Sequence, residues 1–399
     1  MRTTTAVMAV IAVVLLGLNL RVAVASAASL FPDLQALLGY GPLVAATLPA
    51  IPVVCFAFAG LATSWLVGLF GLERAMSLAL VLLSVGLSLR MVPSVDMLLL
   101  GTVVAMCGLA VCNVAMPSFV RKYFPRRMAG MTGLYTITMS VGAALASGIS
   151  VPLALQLESP IASLAVWTLP CVAALVVVLP LAVGAGRQRT LSPVARLSPW
   201  PLLATRRGMA ITGLFTIQAL LVYSVVGWLP TILIARGMDA TTAGVLLGAV
   251  QLISVPAIAI VTALVGKGML RVAFMIATGS SLAGFGTLLL LPVEVAWVPV
   301  LFLGLGFSVF PLVMVSISRS SGTVEEASAM STVAQSVGYL VAALGPFGLG
   351  LLSAALGSWG LALSILLAVA VLQMLFAYWL SASESPPSRR ELIAVDTGK

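Results

Sequence analysis

Arg21 stands inside an apolar run, "LLGLNLRVAVA", from Leu15 to Ala25. If a helix begins near Ala6, Arg21 lies roughly 22 Å along it at 1.5 Å per residue, slightly beyond the middle of a ~30 Å hydrocarbon layer. Insertion scales charge about 2.5–3.5 kcal/mol for a central arginine, so such a side chain normally faces a cavity or a partner. A guanidinium is planar and permanently charged, which suits it to hold an anion or a strongly polar group. Ala25, Ala28 and Ser29 follow on the same side of the helix and leave it room. The competing interpretation is a structural arginine, bonded to backbone carbonyls or reaching out to the interface.

Other polar side chains interrupt the later apolar runs. Asn113 precedes Pro117 by one turn, and Tyr135 follows in the next run. Gln218 and Tyr223 share a run, Gln251 lies in the one after, and Gln335 and Tyr339 stack at i, i+4. Each could touch a ligand or bond a neighbouring helix. As a group they describe a cavity with neutral hydrogen-bonding walls and one positive charge. Asn19 is two residues from Arg21 and points about 200° away on a regular helix, so it reads equally well as a bond between helices. Arg90 sits at the end of a run, with Pro93 and Asp96 behind it. The expectation there is a side chain reaching for the interface or pairing with a nearby acid.

The eleven acids are informative by position. Asp33, Asp96, Glu158, Asp239 and Glu294 fall at turns on one side, and Glu73, Glu325 and Glu326 at turns on the other. Glu384, Glu391 and Asp396 lie in the tail. With no mid-run carboxylate, an exchanger of cationic drugs for protons lacks its charge partner. There is no histidine. The four cysteines lie in apolar runs and match no zinc spacing, so they read as small buried hydrophobes. No phosphate loop, dinucleotide fingerprint or nucleophile elbow occurs, so neither an enzyme nor a cofactor is expected.

These residues need a membrane scaffold. Of 399 residues, 61% are hydrophobic and 8% charged, far below the roughly 25% of a soluble domain. Twelve spans are expected, near 6–31, 42–68, 74–93, 97–120, 128–151, 160–184, 209–234, 242–265, 272–291, 297–318, 327–352 and 360–381. The start resembles a cleavable signal, with Arg2, an apolar stretch and "AVASAA". Asn19 and Arg21 interrupt that pattern, and a first span explains it better. With the N-terminus cytoplasmic, 17 of the 20 basic residues fall inside. The net charge of +9 is then a topology signal, and no nucleic-acid partner is expected.

The longest interior connector, "GRQRTLSPVARLSPWPLLATRRG", divides the spans six and six. The expected organisation is a bundle at 1–184, a cytoplasmic linker at 185–208, a second bundle at 209–381 and a polar, unstructured cytoplasmic tail at 382–399. The halves echo one another. Gly108-Leu109 precedes Val141-Gly142 by the distance that separates Gly304-Leu305 from Val337-Gly338. "PAIPV" at 49–53 echoes "PAIAI" at 256–260. The fold class is therefore all-α membrane protein, with twelve transmembrane helices in two six-helix bundles and a site between them near the midplane.

Several strings resemble the cyanate permease / 2-nitroimidazole exporter family of the major facilitator superfamily. They are "LNLRVAVAS", "GLAVCNVAMPSFVRKYFP", "MTGLYT", "LLVYSVVGWLPTIL" and "AQSVGYLVAALGPFGLG". The resemblance spans essentially the whole chain. It implies that Arg21, Asn113, Tyr135, Gln218, Tyr223 and Gln335 occupy the family's characteristic positions. The expected function is transport of a small anion or polar solute by alternating access, with Arg21 as anion-binding residue. The alternative is export of nitro-heterocycles or other toxic compounds. A sensor with a transporter fold is a third, for which the tail is too short to add an interaction domain. The implied partners are a small-molecule substrate, the lipid bilayer and, through the substrate or a tyrosine, protons. A monomer in the plasma membrane is expected. "GLFGLERAM" keeps the glycine and arginine of the superfamily's signature loop but lacks its aspartate, which leaves that loop's gating contacts in question.

Overall fold

The computed structural model describes residues 3–184, 200–321 and 323–383. Twelve helices among the described residues are long and apolar enough to cross a membrane. In chain order they are span 1 Thr3–Leu38, span 2 Pro42–Phe70, span 3 Leu72–Leu89, span 4 Val95–Tyr123 and span 5 Met128–Gln156. Span 6 is Pro160–Gly184, span 7 Arg206–Ala235 and span 8 Ala240–Gly266. Spans 9 to 12 are Leu270–Leu290, Trp297–Ser320, Glu326–Leu356 and Gly360–Ser383. Of the expected linker and tail, 185–199 and 384–399 lie outside the described residues; a short helix, Trp200–Leu203, precedes span 7.

The apolar runs supply the helices, and local polar groups start them. The side chains of Ser159, Thr205, Asp239 and Thr323 each accept from a backbone N–H three residues on, supplying one of the orphan donors of a helix start with its partner. The bond from Thr242 also holds the Asp239 carboxyl below the ordinary aspartate value. Span 1 differs from its expected end at 31. It runs through Pro32 to Leu38, and the turn falls at Gly39, whose φ of +65° suits glycine. Spans 6, 10 and 11 are interrupted, at Trp167, at Phe307-Ser308 and at Ala343.

Spans alternate in direction. The turns at Gly71, at 124–127 and at 267–269 therefore share a side with the start of span 1, here the basic side. The opposite side is the far side. Glycine sets the closest approaches within each half. A Cβ on Gly142 of span 5 would stand 2.3 Å from the Leu18 carbonyl oxygen of span 1. One on Gly338 of span 11 would stand 2.5 Å from the Phe215 ring of span 7. The echoed glycines thus do the same work in both halves, seating the fifth helix on the first.

The halves meet most tightly in the far half of the membrane. A Cβ on Gly244 of span 8 would lie 2.4 Å from the Ser147 carbonyl oxygen of span 5, and one on Gly227 of span 7 would lie 2.6 Å from Pro49 of span 2. Toward the basic side the contact loosens, with 4.0 Å from Gly60 to Thr332 by the same measure. Trp228 Nε1 donates to the Pro346 carbonyl at 2.8 Å and ties span 7 to span 11. Large apolar side chains such as Phe58, Trp65, Val176 and Leu290 are exposed, as a lipid-facing surface requires. The cysteines split: Cys112 and Cys171 are buried, whereas Cys107 is exposed, with its sulfur 3.9 Å from that of Cys55.

Candidate functional site

The first half brings Arg21 to the interface between the bundles, and the second half meets it with Gln251. Arg21 Nη1 donates to Gln251 Oε1 at 2.7 Å. Gln251 is buried, at 1% exposure, and its Nε2 has no partner among the described residues. It is a ready donor for a group set against Arg21. No carboxylate among the described residues pairs with Arg21; Glu73 pairs with Lys122, at the basic side.

An aromatic cluster adjoins this pair and also spans the interface. Tyr223 and Tyr339 meet edge to face with ring centroids 6.0 Å apart. Phe56 of span 2 lies 6.1 Å from Tyr223 and 5.7 Å from Tyr339. Phe215 stands edge-on to Tyr339 at 4.9 Å. Both tyrosines also pack against the core of the first half, which includes Leu20 and Ala23 of span 1. The arrangement can hold a small planar or anionic solute: one fixed positive charge, amide and phenol hydrogen bonds, and flat apolar faces.

The other expected residues divide. Gln335, one turn below Tyr339 toward the basic side, donates from Nε2 to Ser331 Oγ at 2.8 Å, leaving its carbonyl oxygen available. Tyr135 is half-buried against the core of the first half. Asn113 is half-buried, and no side-chain hydrogen bond is formed by it among the described residues. Of the two roles expected for Asn19, the bonds it forms are those between helices. Its Nδ2 donates to the Leu15 and Pro170 carbonyls, each at 2.8 Å, and so binds span 1 to span 6. Gln218 also bonds a neighbouring helix, while its own Nε2 has no partner among the described residues. Its Oε1 accepts from Gln373 Nε2, joining span 7 to span 12 inside the second half.

Two residues were misjudged or missed from sequence. Arg90 neither reaches outward nor meets an acid. It is buried at 2% exposure and donates from Nη1 to the Ala23 carbonyl at 3.1 Å. Its neighbour in sequence, Asp96, gave the misleading signal; the Arg90 side chain instead reaches the backbone of span 1. Phe56 sits in a wholly apolar run, where no signal marks one phenylalanine among many.

At the basic side Glu73 follows the loop that lacks the signature aspartate. It is buried, pairs with Lys122 at 2.5 Å and accepts from the Tyr123 hydroxyl at 2.9 Å. The loop's carboxylate contact is thus made, within the first half, onto the end of span 4.

Two bundles of six helices, closed over a polar centre that both of them line, define a solute carrier. The chain belongs to the Major Facilitator Superfamily, whose profile matches residues 9–346. It is 30% identical over 337 residues to the 2-nitroimidazole transporter of Escherichia coli, covering 84% of this chain and 85% of that one. It is 29% identical over 337 residues to the cyanate transport protein CynX of the same organism, covering 84% and 87%. An uncharacterized transporter of Bacillus subtilis, YycB, is 30% identical over 347 residues, covering 85% and 84%. Among solved structures, a mutant of the nucleoside transporter NupG superposes with a TM-score of 0.76 at 11% identity, covering 93% and 99%. The xylose transporter XylE of E. coli, partially occluded and inward open, gives 0.74 at 14% identity, covering 94% and 98%. These two likenesses concern the fold.

Proposed function

We propose that this transporter carries a small anion, cyanate-like in size and charge, by alternating access between bundles 1–184 and 209–381, with Arg21 as the anion-binding residue. The observation that carries the reading is the Arg21 guanidinium at the junction of the halves, bonded to neutral Gln251 and to no acid. A half-buried cation with only neutral partners gains from a charged occupant. The partner Gln251 comes from the opposite half, so rocking one half changes the donors an occupant meets. The relative that transports cyanate supports the same chemistry. Tyr223, Tyr339, Gln251 and Gln335 complete the site in this reading, with Tyr135 and Asn113 on the cavity wall of the first half. The basic side faces the cytoplasm, both termini included, and the membrane is the plasma membrane.

A second reading is favoured by the aromatic cluster. Phe56, Tyr223 and Tyr339 offer faces for a flat ring, and Arg21 can bond a nitro group. The relative that transports 2-nitroimidazole fits this reading.

Uptake of cyanate, nitrate, small carboxylates and 2-nitroimidazole into liposomes holding the purified chain tests both. Loss of hydrogen bonds to a charged group, about 1.5–3 kcal/mol, corresponds to roughly 10- to 150-fold weaker anion binding in Arg21→Gln. Equal anion transport by Arg21→Gln and wild type would sink the first reading. Transport of 2-nitroimidazole with no anion transport would select the second.

A further inference from the structure

Arg90 closes the far end of span 3, and its burial is not explained by the bonds it makes. A guanidinium carries five N–H donors. Here one bond goes to the Ala23 carbonyl at 3.1 Å, while Nε has no partner and no carboxylate pairs with the group among the described residues. Buried charges are normally paired, because an isolated one loses its hydration without return. Ala23 lies two residues past Arg21, so Arg90 touches span 1 about 3 Å further toward the far side.

The same guanidinium lines a cavity of about 20 Å³, room for about one water molecule, together with Ala27, Leu48, Thr102, Tyr223 and Gly227. Tyr223 is common to this cavity and to the Arg21 cluster. Gly227 belongs to the far-side contact with Pro49. The cavity thus shares the wall at Tyr223 with the central cluster and reaches the place where the halves meet at Pro49 and Gly227.

We propose that Arg90 is a second anion-binding station, on the far side of Arg21, which a small anion meets when the far-side contact parts. The proposal rests on the reading of Arg21 as an anion-binding residue and extends the path outward. In the closed conformation the station has no space for the anion, so Arg90 falls back on the Ala23 carbonyl. When Gly227 leaves Pro49, the space opens and the unsatisfied donors face the entering solute. Two cations about one helical half-turn apart along span 1 then pass the anion inward without a mid-membrane carboxylate to repel it.

The test places a cysteine at Thr102, beside Arg90, in a background lacking the four native cysteines. Mixed-disulfide formation from the far side, with release of methanesulfinate, is timed with anionic sulfonatoethyl and cationic trimethylammonioethyl methanethiosulfonates in proteoliposomes. The expected result is a rate ratio at least tenfold in favour of the anionic reagent. Nitrate should slow the reaction where gluconate does not. Arg90→Gln should collapse the ratio and abolish nitrate protection, Arg90→Lys should keep both, and Arg21→Gln should leave the ratio intact. No nitrate protection with Arg90 in place would overturn the proposal, and that arm needs no Arg90 variant to fold. An unchanged ratio in Arg90→Gln, or no labelling of Thr102→Cys at all, would overturn it too. Cyanate uptake is run in parallel. Its absence beside intact nitrate protection would fault the transport reading and leave Arg90 standing.

Discussion

Arg21 of span 1 and Gln251 of span 8 are bonded at 2.7 Å, and the bond crosses from one half of the molecule to the other. A hydrogen bond of this kind makes the central arginine sensitive to the position of the second half. Loss of the Gln251 amide in Gln251→Leu removes a bond to a charged donor, about 1.5–3 kcal/mol. Weaker cyanate binding is expected in Gln251→Leu and in Arg21→Gln. The double variant should lose less than the sum, because the two act as a unit. Strict additivity in equilibrium titrations would show that the bond does not contribute to binding.

Asn19 should behave differently from its neighbour. Asn19→Leu deletes two bonds to carbonyls in spans 1 and 6, at about 0.5–1.5 kcal/mol each. The expected outcome is a lower melting temperature in detergent with KM for transport unchanged. A raised KM without a melting shift would return Asn19 to the binding site.

Enlarging Gly244 should hold the far side open. Its Cβ would meet the Ser147 carbonyl oxygen at 2.4 Å, and that atom belongs to backbone, which cannot swing aside. Gly244→Val is expected to raise far-side labelling of a cysteine at Thr102 several-fold and to reduce transport. Unchanged labelling and turnover would mean that spans 5 and 8 part easily at this point.

The Glu73–Lys122 pair should respond asymmetrically. Glu73 is 3% exposed in its side chain and Lys122 is 40% exposed, so each variant strands a different charge. Lys122→Met leaves a buried carboxylate with the Tyr123 hydroxyl alone, whereas Glu73→Gln leaves a lysine that water can reach. Thermal melts should show Lys122→Met as clearly the more damaging change. The reverse order would place Glu73 in a wetter site than its burial implies.

The aromatic cluster should separate solutes. Tyr339→Leu removes an edge-to-face partner of Tyr223 and Phe215 and a flat surface next to Arg21. Such ring contacts are worth about 0.5–1.5 kcal/mol beyond their buried area. Transport of 2-nitroimidazole, if it occurs, should fall several-fold more than transport of cyanate. Equal losses would argue that the ring serves packing alone.

Much of the architecture was legible because lipid admits few solutions. An apolar run of sufficient length must be a helix, so spans 2 to 5 and 7 to 9 could be placed within a few residues. The repeat was legible at Gly142 and Gly338, where a backbone carbonyl in one half and a phenylalanine ring in the other leave little room for a side chain. The end of span 1 was misplaced because Pro32 reads as a stop in solution, whereas here the helix continues through it. Arg21 could be singled out by the cost of its charge. Its partner could not, since which helix of the second half faces residue 21 depends on three-dimensional docking. The separation of Asn19 from Arg21 followed from helical periodicity. Gln218 lacked such a guide: its partner Gln373 is a lone amide in span 12, and only tertiary packing joins them.

The far-side closure has one more consequence. Its closest approaches are carbonyl oxygens and a proline ring set against glycine, and no ion pair bridges the halves there among the described residues. Nothing in that seam is weakened by screening. Added salt should therefore compete for the arginines inside while leaving the gate itself indifferent, so that ionic strength tunes occupancy rather than the frequency of opening.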